Sequence, residues 1–487
     1  MSTVPKPHGG FSRLRTPTVN RWVSVMGRAL GRLRFTFRTS GVEPVLRLSL
    51  VLLVASLEAG LGTVTDRLRR PALRARRRTV RSRRAWERLA WTLGELKGAY
   101  AKAGQFASLR HDLLPEGATR AFAGLRDRVP PLPFSSLRPL IEAELGAPLE
   151  VLFDRLDPTS IGAASLAQAH RGELPDGTPV VVKVQYPWIA AALRADLAVL
   201  RFLLRLGNWW VGGRSGRAGL DRERLFDEFA RSLGEELDFR HEARVAAQIA
   251  ENLAGDDEIV VPRVVASHST ERILTVHHWD ALPIRASEAL ARRGVAPGAV
   301  LRILARAYAK QVFVDGLFHA DPHPGNLFVI ADPRAAIPLR VLFIDFGLSK
   351  KLDDNLRRQV REGIYALLQR DTDAFLARMD ALGAIAPGAE AEVRRAVTSM
   401  FERIANRGEG RPVLGQALGL AGHQVLALKD EAKSLLQETP GLQLPNDLLL
   451  YAKTLSYLFA LGDELDPQVD LLKISLPYLL EFLGSRD

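Results

Sequence analysis

The spacing of polar residues around one short β-rich hairpin restricts the fold more than any other feature of this sequence. The segment His319-Ala320-Asp321-Pro322-His323-Pro324-Gly325-Asn326 is followed by two β-rich runs, Leu327–Ile330 and Arg340–Ile344, and then by Asp345-Phe346-Gly347. The two prolines exclude a helix in the first part, and the two runs that flank a turn predict a β-hairpin. The chain therefore places an Asp and an Asn in a loop before the hairpin and a second Asp directly after it.

This order and spacing are those of a phosphoryl-transfer loop followed by an Asp-Phe-Gly turn. Asp321 can accept or orient the proton of an attacking hydroxyl. Asn326 and Asp345 supply hard oxygen ligands for a Mg²⁺ ion that bridges ATP phosphates. Gly347 allows the backbone to turn behind the metal-binding Asp. The sequence thus predicts Asp321 as a catalytic residue and Asn326 and Asp345 as metal ligands, with ATP and Mg²⁺ as cofactors.

Two histidines in the same loop, His319 and His323, are spaced four apart, as in a helical metal-binding pair. Pro322 and Pro324 exclude the helix which that geometry needs. We expect His319 to hydrogen bond the backbone of the catalytic loop, whereas the sequence assigns no role to His323.

A lysine that ends a β-branched strand supplies a second part of the site. Lys183 follows Val180-Val181-Val182, and in a kinase lobe such a lysine reaches the α- and β-phosphates and pairs with a helix carboxylate. Its partner is expected on a predicted helix at 221–253, where spacing alone does not choose among four acidic residues. These are Glu235, Glu236, Asp238 and Glu242.

The usual phosphate-binding glycine signatures are missing from the chain. No G-x-G-x-x-G precedes Lys183 and no G-x-x-x-x-G-K-[ST] is present, which excludes a nucleoside triphosphatase with that second signature. Gly162-Ala163-Ala164-Ser165 stands in the place of the glycine loop, ahead of a predicted strand at Leu166–Arg171. Small side chains still let backbone N–H groups approach phosphate. We therefore predict that Gly162, Ala163, Ala164 and Ser165 contact the nucleotide.

The pattern of predicted elements indicates an α+β chain with a small sheet-containing lobe and a larger helical lobe. Apolar residues at helical spacing predict a helix at 85–110. Further strands are expected at Ile259–Val265 and Arg272–Val276, and helices dominate from residue 297 onward. We divide the chain into a basic extension at 1–84, a helical segment at 85–150, an N-lobe at 151–280 and a C-lobe at 281–487.

With these motifs in order, the sequence resembles the UbiB family, also called AarF or ADCK, of atypical protein-kinase-like proteins. The resemblance covers about residues 90–485. Its motifs here are K-x-G-Q at Lys102–Gln105, the alanine-rich loop at Gly162–Ser165, the strand Lys183, E-x-D at Glu236–Asp238, Glu242-Ala243, and the catalytic and Asp-Phe-Gly motifs already described.

The resemblance implies a bilobal protein-kinase-like fold with an added N-terminal K-x-G-Q helical segment. It implies that this helix lies over the active site and blocks protein substrates, so that Lys102 and Gln105 face the nucleotide in a regulatory role. It further implies that Lys102 pairs with Glu236 and that Lys183 pairs with Glu242.

Positive charge is concentrated at the start of the chain. Residues 1–90 hold 20 Lys and Arg against 4 Asp and Glu, whereas the remaining residues hold 47 against 51. The run from Arg67 to Arg88 would attract anionic lipid headgroups or nucleic acid. It lacks interleaved aromatic residues, which argues against nucleic acid. The apolar stretch Leu48–Leu57 is shorter than a spanning helix needs, so 44–65 is expected to be a helix that packs on the body or lies at a membrane surface.

The sequence therefore predicts an atypical kinase or ATPase with a cytoplasmic location at the inner face of the cytoplasmic membrane. The resemblance implies a role in isoprenoid-lipid biology, of the ubiquinone type, or in membrane lipid homeostasis, with isoprenoid lipids or lipid-biosynthesis proteins as partners. Two alternatives remain: a small-molecule phosphotransferase, and a nucleotide-sensing pseudokinase scaffold. The absence of cysteine excludes disulfides and thiolate metal sites.

Overall fold

Among the described residues, the N-terminal part of the protein forms a group of four helices. The computed structural model describes residues 42–66, 71–109, 116–123, 131–211, 222–369, 371–407, 439, 441–442 and 444–485, so the first 41 residues of the basic extension lie outside the described residues. The four helices are α1 (Val42–Asp66), α2 (Pro71–Leu96), α3 (Gly98–Leu109) and α4 (Glu116–Ala123). They enclose a core that includes Leu48, Leu93, Tyr100 and Phe122.

The single helix predicted at 85–110 is wrong, because α2 ends at Leu96 and α3 begins at Gly98. Lys97 and Gly98 at the break both have φ of +56°, a left-handed conformation that interrupts a right-handed helix. Helix α2 also runs through the expected boundary at residue 84, so the arginines from Arg74 to Arg88 and the segment before the K-x-G-Q helix belong to one helical unit. Arg67, Arg69 and Arg70 lie outside the described residues.

The small lobe is a four-stranded antiparallel sheet with helices beside it. Its strand order is β1-β2-β3-β5. The elements in chain order are α5 (Arg138–Leu145), α6 (Leu149–Leu152), β1 (Arg155–Ala163), β2 (Ala167–Glu173), β3 (Pro179–Gln185), α7 (Ile189–Val211), α8 (Arg222–Glu236), α9 (Phe239–Asn252), β4 (Ile259–Val260) and β5 (Ile273–His277). Lys183 lies on the central strand β3, opposite Ala169 of β2 and Leu274 of β5.

Two predictions for this lobe need correction. The helix expected at 221–253 is two helices, because Asp238 caps α9 by accepting a hydrogen bond from the backbone N–H of Arg240 at 2.9 Å. Strand β1 was not predicted, since its residues do not alternate between apolar and polar. It carries Gly162 and Ala163 at its end, so that only Ala164 and Ser165 of the predicted loop lie in the turn before β2.

The larger lobe combines a second small sheet with a helical core. Strand order in this sheet is β4-β9-β8-β6, and β7 pairs with β10. The elements are β6 (Leu282–Pro283), α10 (Ser287–Arg292), α11 (Pro297–Ala309), β7 (Leu317–Phe318), β8 (Leu327–Ala331), β9 (Leu339–Phe343), β10 (Lys350–Lys351), α12 (Asp354–Gln369), α13 (Thr372–Ala381), α14 (Glu390–Arg407), α15 (Asn446–Leu465) and α16 (Leu471–Gly484). Helix α11 is buried at the centre of this lobe, with α15 and α16 packed against it.

The turn between β1 and β2 is tied to the start of α3. The backbone N–H of Gly98 donates to the carbonyl of Ser165 at 2.9 Å, and the Tyr186 hydroxyl donates to the carbonyl of Ala164 at 3.0 Å. The Lys97 ammonium lies 4.3 Å from the centre of the Tyr186 ring, a cation–π geometry. The helix that carries K-x-G-Q therefore fixes the position of the loop that is predicted to contact phosphate.

We expect Gly98→Ala to lower the free energy of unfolding by about 1–2 kcal/mol, because alanine is strained at φ of +56°. An added Cβ would lie 3.8 Å from Ile189, so conformational strain rather than a clash causes the loss. The control is Gly234→Ala in α8, where an added Cβ meets nothing within 4 Å and the free energy should rise by up to about 1 kcal/mol. Urea denaturation measures both, and an equal response of the two variants would contradict the assigned strain.

Candidate active site

The predicted metal ligands lie together at one end of the β8–β9 hairpin. Asn326 directly precedes β8, and its carbonyl accepts a hydrogen bond from the backbone N–H of Ile344 at 3.0 Å, one residue before Asp345. The Nδ2 group of Asn326 donates to the carbonyl of Asp321 at 3.1 Å, which turns the amide oxygen of Asn326 away from Asp321. A carboxylate and an amide oxygen of this kind suit Mg²⁺.

Asp345 has an unusual backbone conformation, with φ of +63°. Left-handed φ at a residue other than glycine costs of order 1 kcal/mol or more and is concentrated at functional sites. Sequence reasoning assigned the turn to Gly347, but Gly347 is not among the residues with positive φ. The strain instead lies at the predicted metal ligand, where the buried side chain of Phe346 follows.

His319 fixes the position of this turn. Its Nε2 donates to the carbonyl of Ile344 at 3.0 Å, and its Nδ1 is 3.3 Å from the hydroxyl of Tyr308. The His319 ring also packs edge-on against Phe346, with 5.3 Å between ring centres. His319 is therefore structural, as predicted, but it bonds the backbone before Asp345 and not that of the catalytic loop. His323 accepts a hydrogen bond from the backbone N–H of Gly325 at Nδ1, 3.1 Å away.

Lys183 joins the two lobes through ion pairs to two carboxylates. Its Nζ lies 2.9 Å from both oxygens of Glu242 on α9 and 3.0 Å from Oδ1 of Asp345. Sequence spacing left four candidates for this partner, and the structure selects Glu242. Burial acts to lower the pKa of Lys183, but the two neighbouring carboxylates outweigh it and the net pKa is raised. The lysine is therefore fully protonated at neutral pH.

The pKa values of the two carboxylates respond in opposite directions to this environment. Burial raises the pKa of Glu242, and the Lys183 ammonium only partly offsets that effect. The pKa of Asp345 is lowered, because the Lys183 ammonium outweighs the effect of burial. The Asp345 side chain is 44% exposed, toward the cleft, whereas that of Glu242 is 6% exposed. Asp345 is thus kept ionised and accessible, as a metal ligand must be.

The K-x-G-Q helix contributes a second buried ion pair. Lys102 on α3 pairs with Glu236 at the end of α8, and the two side chains are 15% and 10% exposed. Burial raises the pKa of Glu236 and the Lys102 ammonium opposes that shift. This is the pairing that the family resemblance implied. Glu235 forms a different contact, 3.1 Å from the Nζ of Lys350.

A cavity of about 770 Å³ connects these groups between the lobes. Its lining includes every site residue that the sequence predicted: Lys102, Gln105, Gly162, Ala163, Ala164, Ser165, Lys183, Glu236, Glu242, Asp321, Asn326 and Asp345. Apolar side chains also line the cavity, among them Leu274, Val276 and Leu342. The cavity therefore combines apolar and charged groups, as a nucleotide requires.

A buried lysine in this cavity was not predicted. Lys453 on α15 places its Nζ 3.0 Å from Oδ1 of Asp321, and its side chain is 7% exposed. It lies 132 residues from Asp321 in a helix with no motif, so local sequence carried no signal for it. The one clue in the sequence is that this lysine stands among apolar residues of a helix that packs on the core. These residues are Leu450, Tyr451 and Leu455.

The two lobes, the strand lysine with its helix glutamate and the Asp–Asn and Asp-Phe-Gly positions define a protein-kinase-like cleft. The comparison with known families agrees, because the family described as the ABC1 atypical kinase-like domain matches residues 124–379. The chain belongs to this family, and the predicted bilobal kinase-like fold is confirmed.

Curated relatives support the same family. A probable protein kinase UbiB from Aeromonas salmonicida is 33% identical over 410 residues, which cover 83% of this chain and 71% of that protein. The probable protein kinase UbiB of Marinobacter nauticus is 30% identical over 414 residues, 82% of this chain and 70% of that protein. Protein ACTIVITY OF BC1 COMPLEX KINASE 8 of Arabidopsis thaliana, a chloroplastic protein, is 30% identical over 80% of this chain and 53% of its own length.

Two solved structures are similar at a lower level. A Mycobacterium tuberculosis protein in complex with erythromycin has 23% identity and a TM-score of 0.45, and covers 78% of this chain and 94% of its own. The Rio2 kinase of Chaetomium thermophilum, in a complex with ADP and Mg²⁺, has 15% identity and a TM-score of 0.25. The match covers 62% of this chain and 96% of the Rio2 chain. Because both TM-scores are low, the fold is assigned from the family match and the observed topology.

The buried Lys102–Glu236 pair generates a testable expectation. Lys102→Met should lower the free energy of unfolding by about 3 kcal/mol, because removal of one partner leaves a buried carboxylate uncompensated. The double variant Lys102→Met/Glu236→Gln should recover most of the lost free energy of unfolding. Arg138→Met, which removes an exposed pair with Glu142, is the control and should change stability little. Equal losses in Lys102→Met and in the double variant would show that the pair does not act as a unit.

Proposed function

We propose that the protein is an atypical kinase or ATPase that binds Mg-ATP in this cleft and transfers the terminal phosphate to an acceptor or to water. The proposal rests on the simultaneous contact of Lys183 with Glu242 and Asp345. These groups lie in a cavity that Asp321 and Asn326 also line. These are the roles that phosphoryl transfer requires: a cation for phosphate, ligands for a metal, and a carboxylate for the attacking group.

The residues present fit the nucleotide and the metal. Asn326 and Asp345 would hold Mg²⁺, which supplies charge neutralisation on the phosphates when bound. Lys183 would bind the α- and β-phosphates, with Glu242 fixing its ammonium. The turn at Ala164 and Ser165, whose carbonyls Tyr186 and Gly98 hold in place, would lie beside the phosphates. Asp321 would orient the attacking hydroxyl or water and take its proton.

We propose further that the acceptor is not an ordinary protein side chain. Lys102, Gln105 and Phe106 of α3 line the same cavity as Asp321, which supports the expectation from the family resemblance that the K-x-G-Q helix blocks protein substrates. The helix also separates this chain from small-molecule phosphotransferases that share the loop residues, which was the first alternative. The resemblance to UbiB proteins favours a client in isoprenoid-lipid metabolism, of the ubiquinone type.

A nucleotide-binding test addresses the assignment of Asp345. In the wild type, Mg-ATP at a hundred times its dissociation constant should add about 2.7 kcal/mol of stability. Asp345→Asn should lose the Mg²⁺-dependent part of the melting-temperature shift, because an amide binds the cation less strongly than a carboxylate. The control is Asp257→Asn, at an exposed position outside the cavity. Its melting temperature should rise with Mg-ATP as much as that of the wild type.

Two further outcomes of this experiment are informative. A full Mg²⁺-dependent shift in Asp345→Asn would contradict the metal assignment. Phosphate release from Mg-ATP by the wild type separates an enzyme from a pseudokinase scaffold, since a scaffold would show the shift without release.

We also propose that the α1–α2 hairpin docks on an anionic membrane surface. Leucines at helical spacing form an exposed stripe along α1: Leu46, Leu50, Leu53, Leu57 and Leu61. Helix α2 exposes arginines that include Arg76, Arg77 and Arg78. The Val42–Gly62 part of α1 is long and apolar enough, by length and composition alone, to cross a membrane, with 11% of its residues buried. Glu58, which directly follows the apolar stretch Leu48–Leu57, pairs with Arg88 of α2 at 2.8 Å.

Liposome sedimentation tests this docking. The wild type should bind vesicles containing anionic lipid, weakly bind neutral vesicles, and dissociate as salt rises, because each basic residue near the surface contributes about 1 kcal/mol. Leu53→Glu/Leu57→Glu should reduce binding strongly, whereas Val151→Glu, at an equally exposed apolar side chain on α6, should not. Vesicle binding that Leu53→Glu/Leu57→Glu does not reduce would contradict the membrane proposal. The same holds if duplex DNA competes away all wild-type binding and the leucine substitutions leave that binding unchanged.

A further inference from the structure

Lys453 is a buried cation at the catalytic carboxylate that no motif accounts for. Its Nζ donates to Oδ1 of Asp321 at 3.0 Å, while Nδ2 of Asn326 is 3.3 Å from Oδ2 of the same carboxylate. The two oxygens of Asp321 are therefore contacted by different groups, one from α15 and one from the catalytic loop. Lys453 lines the active-site cavity together with Lys183 and Asp345.

Packing of α15 against the catalytic loop determines the position of this lysine. Tyr451 meets Phe318 edge-on, with 5.9 Å between ring centres, and Leu450 belongs to the same apolar cluster as Ala320. Phe318 and Ala320 lie immediately before Asp321. Because Leu450 and Tyr451, three and two residues before Lys453, pack on the segment that carries Asp321, α15 holds the lysine close to the carboxylate.

The catalytic loop supplies no cation of its own. The segment from His319 to Asn326 contains no Lys or Arg, and two residues after Asp321 stands His323, whose Nδ1 accepts the backbone N–H of Gly325. A phosphoryl group that reacts beside Asp321 carries negative charge, and a carboxylate next to it adds repulsion. The compensating positive charge at this point comes from α15.

We infer that Lys453 is a positioning residue for phosphoryl transfer, an assignment that rests on the proposed function. It holds Oδ1 of Asp321, so that the carboxylate keeps one orientation toward the attacking group. In the step itself, Asp321 takes the proton of the attacking hydroxyl or water as the new oxygen–phosphorus bond forms. The bond between the terminal phosphorus and its bridging oxygen breaks, and ADP leaves with the electron pair.

Steady-state kinetics of phosphate release from Mg-ATP test the inference in the full-length protein. Lys453→Met should lower kcat by about 10- to 100-fold, a part of the factor that a positioned proton acceptor contributes. KM for ATP and the Mg-ATP melting-temperature shift should stay close to wild-type values, because the lysine acts at the transfer step. Lys453→Arg, which keeps the charge, should recover much of kcat. Lys310→Met, which removes the partly buried Lys310–Asp315 pair, is the control and should leave kcat unchanged.

A double-mutant cycle separates positioning from a structural effect. In an Asp321→Asn background under single-turnover conditions, Lys453→Met should have little further effect, because its target is already removed. An equal loss in both backgrounds, or unchanged kcat in the single variant, would overturn the inference. If Lys453→Met does not fold, Lys453→Gln replaces it in every measurement. If the wild type releases no phosphate from Mg-ATP, the proposed function is overturned as well. If the wild type turns over and Lys453→Met has the same kcat, this inference alone is overturned.

Discussion

The contact of one ammonium group with two carboxylates determines how the parts of this molecule must be arranged. Lys183 comes from the central strand of the small sheet, Glu242 from the first turn of α9, and Asp345 from the end of the β8–β9 hairpin. A buried charge without a partner is strongly destabilising, so the two lobes have to meet where these three groups meet. The left-handed backbone at Asp345 is a consequence, since it turns that carboxylate toward Lys183 while Phe346 enters the core.

The N-terminal helices extend this arrangement. Lys102 adds a second ammonium, paired with Glu236, and the start of α3 bonds the turn at Ser165. Helix α3 therefore lines the cleft and also holds the loop beside it. The exposed leucines of α1 place an apolar surface on the same helical unit.

Local patterns led to residues that the fold brings together, but not to all of the geometry of the candidate site. The Asp–Asn spacing, the Asp-Phe-Gly turn and the strand lysine are short, ordered motifs, so every predicted site residue lines one cavity. Strand β1 was missed because its stability comes from pairing with β2 and not from its own pattern. The break at Lys97 depends on contacts with Tyr186 and Ser165 that lie far away in sequence. Lys453 was missed for the same reason, since its partner is 132 residues away.

The charges at the reactive end of the cleft explain why a metal should accompany the nucleotide. Three ammonium groups, on Lys102, Lys183 and Lys453, each contact a carboxylate, and the carboxylates there are four: Glu236, Glu242, Asp321 and Asp345. The lysines are thus already balanced by the protein's own acids. A triphosphate adds further negative charge to this end, and unscreened repulsion in a partly buried site is costly. A divalent cation held by Asp345 and Asn326 would remove that repulsion, so we expect the affinity for ATP itself, and not only turnover, to depend on Mg²⁺.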